Sequence, residues 1–277
     1  MSRWRLIESG PLPGALNMAL DAALLELHAL GESPPTLRLY QWEPAALSLG
    51  YFQRRCGLDT AACRRLGIDV VRRPTGGRAV LHLHDLTYSL VAGLPEGLPS
   101  SPAAAYRLIC SGLLAGLRLL GVEAEPGREP LKPPQPEVCF LRLAACDLSH
   151  GGRKFAGSAQ TWRGSSLLQH GSIVLSSQAE PLAAVFGGGE GLLSSLEART
   201  TSLEDILGRP VGAAELAAAL RQGMAAVLGI EFEPGGLSEE ELALARQRIE
   251  RGAAQQKETC PGTTTPASGW AAFRSAW

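Results

Sequence analysis

The chain has 277 residues, enough to bury a substantial core as one large domain or two small ones. With 45% apolar residues, 19% charged residues and a net charge of −1, it is neither a disordered acidic chain nor a general nucleic-acid binder. The opening MSRWRLIESGPLPG holds no apolar run long enough for a signal peptide, and no segment approaches a membrane span. A cytoplasmic protein without nucleic-acid or membrane partners is therefore expected. The six cysteines, at 56, 63, 110, 139, 146 and 260, include no Cys-x-x-Cys pair and read as free thiols rather than a disulfide framework.

Gly14 to Leu27 carries apolar residues at 16, 20, 23, 24 and 27, one face of an amphipathic helix. Residues 36–53, TLRLYQWEPAALSLGYFQ, alternate as a hairpin does, with Glu43-Pro44 at its turn. Asp59 is placed to cap a helix running through Leu66, followed by a short apolar strand at Ile68 to Val71. Another strand follows at Thr87 to Val91. Between them Pro74-Thr75-Gly76-Gly77 forms a turn suited to left-handed backbone and to close approach of another molecule. Arg72, Arg73 and Arg78 bracket it. Such a turn can hold an anionic or carbonyl-bearing ligand on its N–H groups, although a tight hairpin with solvated arginines fits this stretch equally well.

Pro102 to Leu120 reads as a long helix ending at Gly121. The prolines of 130–136 exclude a helix or central strand, leaving a loop or flap that delivers Cys139 to the next strand. Gly151-Gly152-Arg153-Lys154 looks like a hairpin turn. Beyond it Ala156, Gly157, Ser158 and Ala159 are small where a strand normally packs bulk, as where a ligand or a backbone comes close. A strand at Leu167 to Leu175 carries His170-Gly171-Ser172, and the two stretches are expected to supply one sheet. Residues 213–228 form a third helix, Ile230 to Glu233 an edge strand, and Ser238-Glu239-Glu240-Glu241 a capping box opening a charged, exposed helix. Interspersed strands and helices without strict alternation indicate an α+β fold.

These stretches resemble the signatures of the lipoate-ligase, octanoyltransferase and biotin-ligase superfamily. Its first motif is Arg-Arg, a Gly-rich turn, then Ala-Val-x-His-Asp; Arg72, Arg73, Gly76, Gly77, Ala79, Val80 and His82 match it. Its second is Gly-x-Lys-x-x-Gly-x-Ala-Gln; Gly152, Lys154, Gly157, Ser158, Ala159 and Gln160 match, with His170-Gly171 beyond. The match is collinear over roughly residues 10–235. The family's Asp after the histidine is Leu83 here, which passes that carboxylate's task elsewhere, with Asp85 a candidate. The resemblance implies a mixed, mainly antiparallel sheet flanked by helices, as in biotin and lipoate protein ligase catalytic domains. Residues 1–250 would form an acyltransferase domain and 251–277 an atypical tail. That tail ends in Trp270, Phe273 and Trp277 and lacks the family's usual docking residues.

Cys139 lies fifteen residues before Lys154, the spacing of the LipM-type octanoyltransferases that use a cysteine nucleophile. The other five cysteines are read as small buried hydrophobes. A thiol attacks as thiolate, and a nearby ammonium stabilises that anion. The same ammonium can donate to the developing oxyanion, so Lys154 is the candidate for both roles. Cys139 and Lys154 are thus the expected catalytic pair. Arg72, Arg73, Gly76, Gly77, Arg78, His82, Gly157, Ser158, Gln160 and His170 are the expected substrate-binding residues. His82 and His170 are candidates to deprotonate an acceptor amine, or are satisfied core histidines. His82 and His84 with nearby cysteines make no compact metal-ligand set, and no metal or cofactor is expected.

What the resemblance implies is octanoyl transfer from octanoyl-acyl carrier protein, through a cysteine thioester, to the lipoyl-domain lysine of an acceptor. That acceptor would be the glycine-cleavage H protein or a 2-oxoacid dehydrogenase E2. Alternatives are an ATP-dependent lipoate–protein ligase and an octanoyl relay between lipoyl domains. A non-enzymatic scaffold that binds acylated partners is disfavoured, because both Cys139 and Lys154 are present.

Overall fold

The computed structural model describes residues 2–53, 57–127 and 147–259. The chain opens with β1 (Ser2–Leu12), α1 (Gly14–Leu30), β2 (Thr36–Trp42), β3 (Ala46–Leu49), α2 (Thr60–Arg65), β4 (Asp69–Arg72) and β5 (Val80–His82). Next come β6 (Asp85–Gly93), α3 (Pro102–Leu119), β7 (Glu125–Pro126), β8 (Asp147–His150), β9 (Arg153–Arg163) and β10 (Ser166–Val174). The last part holds α4 (Ala179–Val185), α5 (Glu190–Arg199), α6 (Leu203–Leu207), α7 (Ala213–Leu228), β11 (Ile230–Pro234) and α8 (Glu239–Thr259). None of these helices is long and apolar enough to cross a membrane.

The strands form an eight-stranded sheet ordered β11-β1-β2-β6-β10-β9-β8-β7 and a three-stranded sheet ordered β4-β3-β5. Among the named strands of the described residues, β1 pairs in parallel with β11 and β2, and β3 with β4; the other strand pairings are antiparallel. This is the mixed, mainly antiparallel α+β architecture expected.

Two expectations change. Residues 36–53 are not a hairpin: β2 pairs with β1 and β6 in the large sheet, while β3 pairs with β4 and β5 in the small one. The two histidines consequently sit in different sheets, His82 on β5 and His170 on β10. The other change concerns α8. Its capping box is formed, with Ser238 Oγ accepting from Glu241 N–H at 3.2 Å and Glu241 Oε2 accepting from Ser238 N–H at 2.7 Å. The helix is charged but not simply exposed. Ala245, with Leu242 and Ile249, packs on Leu16 and Leu20 of α1, and buried Glu241 accepts from Arg5 and Ser33.

Strand alternation divides the large sheet into two unlike faces. One face presents Leu37, Leu39, Leu86, Tyr88, Leu90 and Ile173 to α3 and α7, which contribute Ile109, Leu113, Leu117, Leu216, Leu220 and Met224 to the main core. The two helices cross closely: a Cβ at Gly116 would meet the Ala219 carbonyl oxygen at 2.7 Å. The other face is covered by α1 and by the small sheet. The small sheet has its own core, in which Leu47, Leu49, Val80 and Leu81 pack with Leu182, Val185 and Leu196.

Candidate active site

Between the large sheet and its α1 and small-sheet cover lies a buried polar layer. Register aligns Arg38, Ser89, His170 and Ala159 in one cross-strand row. Tyr40, Thr87, Ser172 and Gly157 form the next. Strands that are apolar on one face therefore carry arginine, histidine and hydroxyls on the other. Each of those groups must find a partner or cost stability.

The partners form two chains of the same design. In the first, Asp21 of α1 sits 2.9 Å from His170 Nδ1, and His170 Nε2 sits 2.6 Å from Thr75 Oγ1 in the Gly-rich turn. Asp21 also accepts from Arg38 at 2.7 Å and from Tyr40 at 2.9 Å. Burial alone would push the Asp21 carboxyl up. The bonds and charges of His170 and Arg38, with Tyr40, outweigh that and hold it below its usual value. An ionised Asp21 can only accept, so His170 Nδ1 carries the ring proton and Nε2 accepts from the Thr75 hydroxyl. Burial, reinforced by Arg73 and His82, outweighs Asp21 and holds His170 below its ordinary value.

In the second chain, Asp85 Oδ2 lies 2.8 Å from His82 Nδ1, and His82 Nε2 lies 2.8 Å from Ser48 Oγ. Ser172 and Thr87 donate to the same Asp85 oxygen at 2.5 and 3.1 Å, and Trp42 stacks on the His82 ring with centroids 3.9 Å apart. Asp85, the candidate named for the carboxylate that Leu83 lacks, thus lies in direct contact with His82. In both histidines each ring nitrogen is engaged, so a proton reaching either would pass through Thr75 or Ser48.

Arg73 clamps the Gly-rich turn, while Arg72 grips the neighbouring turn of residues 50–53. Buried Arg73 donates to the carbonyls of Ser48, Gly76 and Arg78 at 2.7–3.1 Å. Arg72 donates to the carbonyls of Gly50, Tyr51 and Gln53 at 2.6–2.8 Å. Both arginines, expected to face a ligand, bind the protein's own carbonyls, Arg73 those of the Gly-rich turn and Arg72 those of the 50–53 turn. Gly77 has φ +95°, and a Cβ on Gly50 would fall on the Gly77 carbonyl. Gly76, Gly77 and Arg78 remain accessible on the loop's surface.

Lys154 is not a solvated hairpin lysine. It is 1% exposed, with Nζ 2.9 Å from Asp147 Oδ2 on β8. The turn before it uses Gly151 and Gly152 at φ 56° and 76°. A bulge then pairs Leu148 with Ala156 but Ser149 with Lys154, so Phe155 is the extra residue. Phe155 and Ala156 both enter the main core, and Lys154 turns to the polar face. A Cβ at Gly157 would sit 3.4 Å from Nζ and 3.3 Å from Asp147 Oδ1, so the missing side chain keeps the space beside the ion pair open.

Ser158 and Gln160 point to the opposite, core-facing side. Trp162 donates to Gln160, Gln160 to Gln169, Gln169 to Tyr88, and Tyr88 to Ser158, at 2.8–3.1 Å. The polar layer thus holds His82, His170, Lys154 and Gly157, with His170 bonded to Thr75 of the Gly-rich turn and Gly157 beside Lys154. Cys139 lies outside the described residues. Cys63 and Cys110 are buried, and burial pushes their thiols up, Cys110 to about 11, leaving them poor nucleophiles. Among the described residues no three His, Cys, Asp or Glu side chains gather as a metal site would.

The lipoyl protein ligase A/B catalytic domain family matches residues 13–225, a span that contains every element of this site. The chain belongs to that family. Relatives from Kyrpidia tusciae and Symbiobacterium thermophilum are each 43% identical to it, over 260 and 262 residues. The alignments cover 89% and 90% of this chain and 95% of each relative, and both relatives are named octanoyltransferase LipM. Among solved structures, a lipoate-protein ligase A bound with ATP superposes with TM-score 0.78 at 27% identity, covering 91% of this chain and 95% of that one. A lipoate protein ligase of T. acidophilum with bound lipoic acid gives TM-score 0.76 at 27% identity, covering 91% and 96%. The ligase-family fold is therefore present nearly end to end.

Sequence reading missed Asp21, Arg38, Tyr40 and Asp147. Two of them carried a signal. Asn17 and Asp21 stand four apart among the apolar positions of α1, and Arg38 is the one charged residue in the β2 stretch TLRLYQW. Asp147 carried none, because its pairing depends on the β8–β9 hairpin.

Proposed function

We propose that this chain is a protein octanoyltransferase of lipoylation, acting in the cytoplasm through residues 1–250 as its catalytic domain. It takes octanoyl from octanoyl-acyl carrier protein, holds it on Cys139, and passes it to the lipoyl-domain lysine of a glycine-cleavage H protein or 2-oxoacid dehydrogenase E2. The observation that carries the reading is the buried Lys154 ammonium, fixed on Asp147 beside Gly157. The 43% identity to relatives named octanoyltransferase LipM supports it.

The chemistry proceeds in two balanced steps. Cys139 thiolate attacks the thioester carbonyl, the C–S bond to the carrier breaks, and the carrier leaves as a thiolate. The acceptor lysine's amine then attacks the Cys139 thioester. The amide C–N bond forms, Cys139 leaves as thiolate, and the amine's proton is released to a neighbouring base. Lys154 supports both steps by stabilising thiolate and oxyanion from one fixed position, aided by N–H groups of the Gly-rich turn. Arg73 acts through the shape of that turn, Arg72 through the adjoining 50–53 turn, and Arg78 lies on the accessible side of the Gly-rich turn.

The likeness to a lipoate-protein ligase A bound with ATP favours a second reading, in which free acid is activated as an adenylate. An adenylating enzyme needs no thiol nucleophile. Purified protein, octanoyl-carrier and a lipoyl domain without nucleotide are expected to yield octanoylated lipoyl domain, with no pyrophosphate release from ATP plus octanoate. Labelling that requires ATP and free octanoate would establish the ligase instead.

A further inference from the structure

The turn after β3 displays two aromatic rings that the chemistry above does not use. Phe52 is 88% exposed and Tyr51 55%, with their rings edge to face and centroids 4.8 Å apart. Their backbone is held firmly. Arg72 grips the carbonyls of Gly50, Tyr51 and Gln53, and Tyr51 N–H donates to the Thr75 carbonyl at 2.8 Å. The turn is closed by Gln53 N–H on the Gly50 carbonyl at 3.0 Å. A rigid turn that keeps two aromatics in water forgoes the stabilisation their burial would give. Pre-organised exposed aromatics of this kind are the usual anchors of protein interfaces.

Charge says what kind of surface would meet them. Residues 50–80 contain seven arginines, two aspartates and no Lys or Glu, a net +5 within a chain whose net charge is −1. Arg72, whose guanidinium clamps the aromatic turn, is exposed, and Arg78 on the adjoining loop is half-buried. Beside the aromatics the described positive charge is that of Arg72 and Arg78, and the rim adjoins, through Thr75, the Gly-rich turn where an acyl arm has to arrive. Positive charge of this kind accelerates encounter with an acidic partner and weakens with salt.

We propose that Tyr51 and Phe52 form the docking rim for the acyl donor, an acidic-surfaced carrier protein that delivers its thioester on a flexible arm. This rests on the octanoyltransferase reading, and the two half-reactions separate the two ideas. The test is the Tyr51→Ser/Phe52→Ser double variant, assayed for acyl-enzyme formation from octanoyl-carrier and from octanoyl-pantetheine, which has the arm but no protein. The variant is expected to lose about 10- to 100-fold in kcat/KM with the carrier, through KM, as loss of interface anchors does. With octanoyl-pantetheine its rate should stay within about twofold of the wild type. The wild-type preference for the carrier should also shrink as salt rises from about 50 to 500 mM, beyond what pantetheine shows. An equal loss with both donors would make the aromatics structural supports of the loop, and no loss would make them bystanders. A defect confined to transfer onto the lipoyl domain would assign the rim to the acceptor. Each of these overturns the proposal, whereas failure of the wild type to acylate from either thioester would remove the octanoyltransferase reading itself.

Discussion

The two faces of the eight-stranded sheet are made by the same strands and differ in almost every physical respect. On one, Leu37, Tyr88, Leu90 and Ile173 meet α3 and α7 in a continuous apolar core. On the other, Arg38, Tyr40, Thr87, His170 and Ser172 meet α1 and the small sheet through chains of hydrogen bonds. The apolar face gains stability from area and tolerates shape-conserving exchange. The polar face is a network in which each group satisfies the next, so removing one member strands several. It gives the Gly-rich turn and Lys154 fixed positions, which is what a site that stabilises a developing charge requires.

The largest expected break in that contrast comes at the polar face's hub. Asp21→Ala should lower unfolding stability by about 3–5 kcal/mol, because Arg38, His170 and Tyr40 all lose a buried partner. Denaturant titration checks it; a loss below about 1 kcal/mol would mean the network readily rearranges. Next is Lys154→Ala, which should slow acyl-enzyme formation by about 10²- to 10³-fold when read on folded protein, as loss of an oxyanion donor does. Near-normal acylation would make the Lys154–Asp147 pair purely structural.

A smaller effect is expected from the opposite face. Ile109→Val in the main core should cost about 0.5–1.5 kcal/mol with unchanged acylation per folded molecule. A rate loss there would contradict the division of labour between faces. The smallest effect is a pH slope. His170 is held below its ordinary value near 6.5, so between that value and its lower folded one it binds fewer protons folded than unfolded. Its contribution is full above about pH 6.5 and declines as pH falls. His28, also lowered by burial, adds a slope of the same sign. Asp21 contributes above its ordinary value near 3.8 and loses that contribution only as pH falls through its lower folded value. Thermal melts from pH 7 to pH 5 should therefore fall, and His170→Gln should flatten the slope. An unchanged slope in His170→Gln would place it elsewhere.

Much of the apolar framework was legible in the sequence, because helix and strand periodicities report burial directly: α3, α7 and β10, and α1 on the other face, lie close to where patterning puts them. The polar face was legible only in part. Motif glycines and Lys154 announced themselves, and Asp59 capped its helix as expected, accepting from the N–H groups of Ala61 and Ala62 at 2.8 Å. Partnerships did not. Alternation in 36–53 could not tell that β2 and β3 belong to different sheets, since a hairpin and a crossover share the same period. The bulge at Phe155, which turns Lys154 from the core to the site, is a property of strand pairing rather than of local composition. Arg72 looked like a ligand-facing charge because the carbonyls it clamps lie some twenty residues away, and Arg73 because nothing in composition tells that the turn curls its own carbonyls onto the guanidinium.

Octanoyl transfer by this chain turns on one covalent step, acylation of Cys139, and intact-protein mass spectrometry reads it directly. Incubated with octanoyl-carrier and no nucleotide, the wild-type chain is expected to gain a single octanoyl group that hydroxylamine removes, while Cys139→Ala gains none. The same hydroxylamine-labile adduct on Cys139→Ala, or no adduct on the wild type, would contradict it.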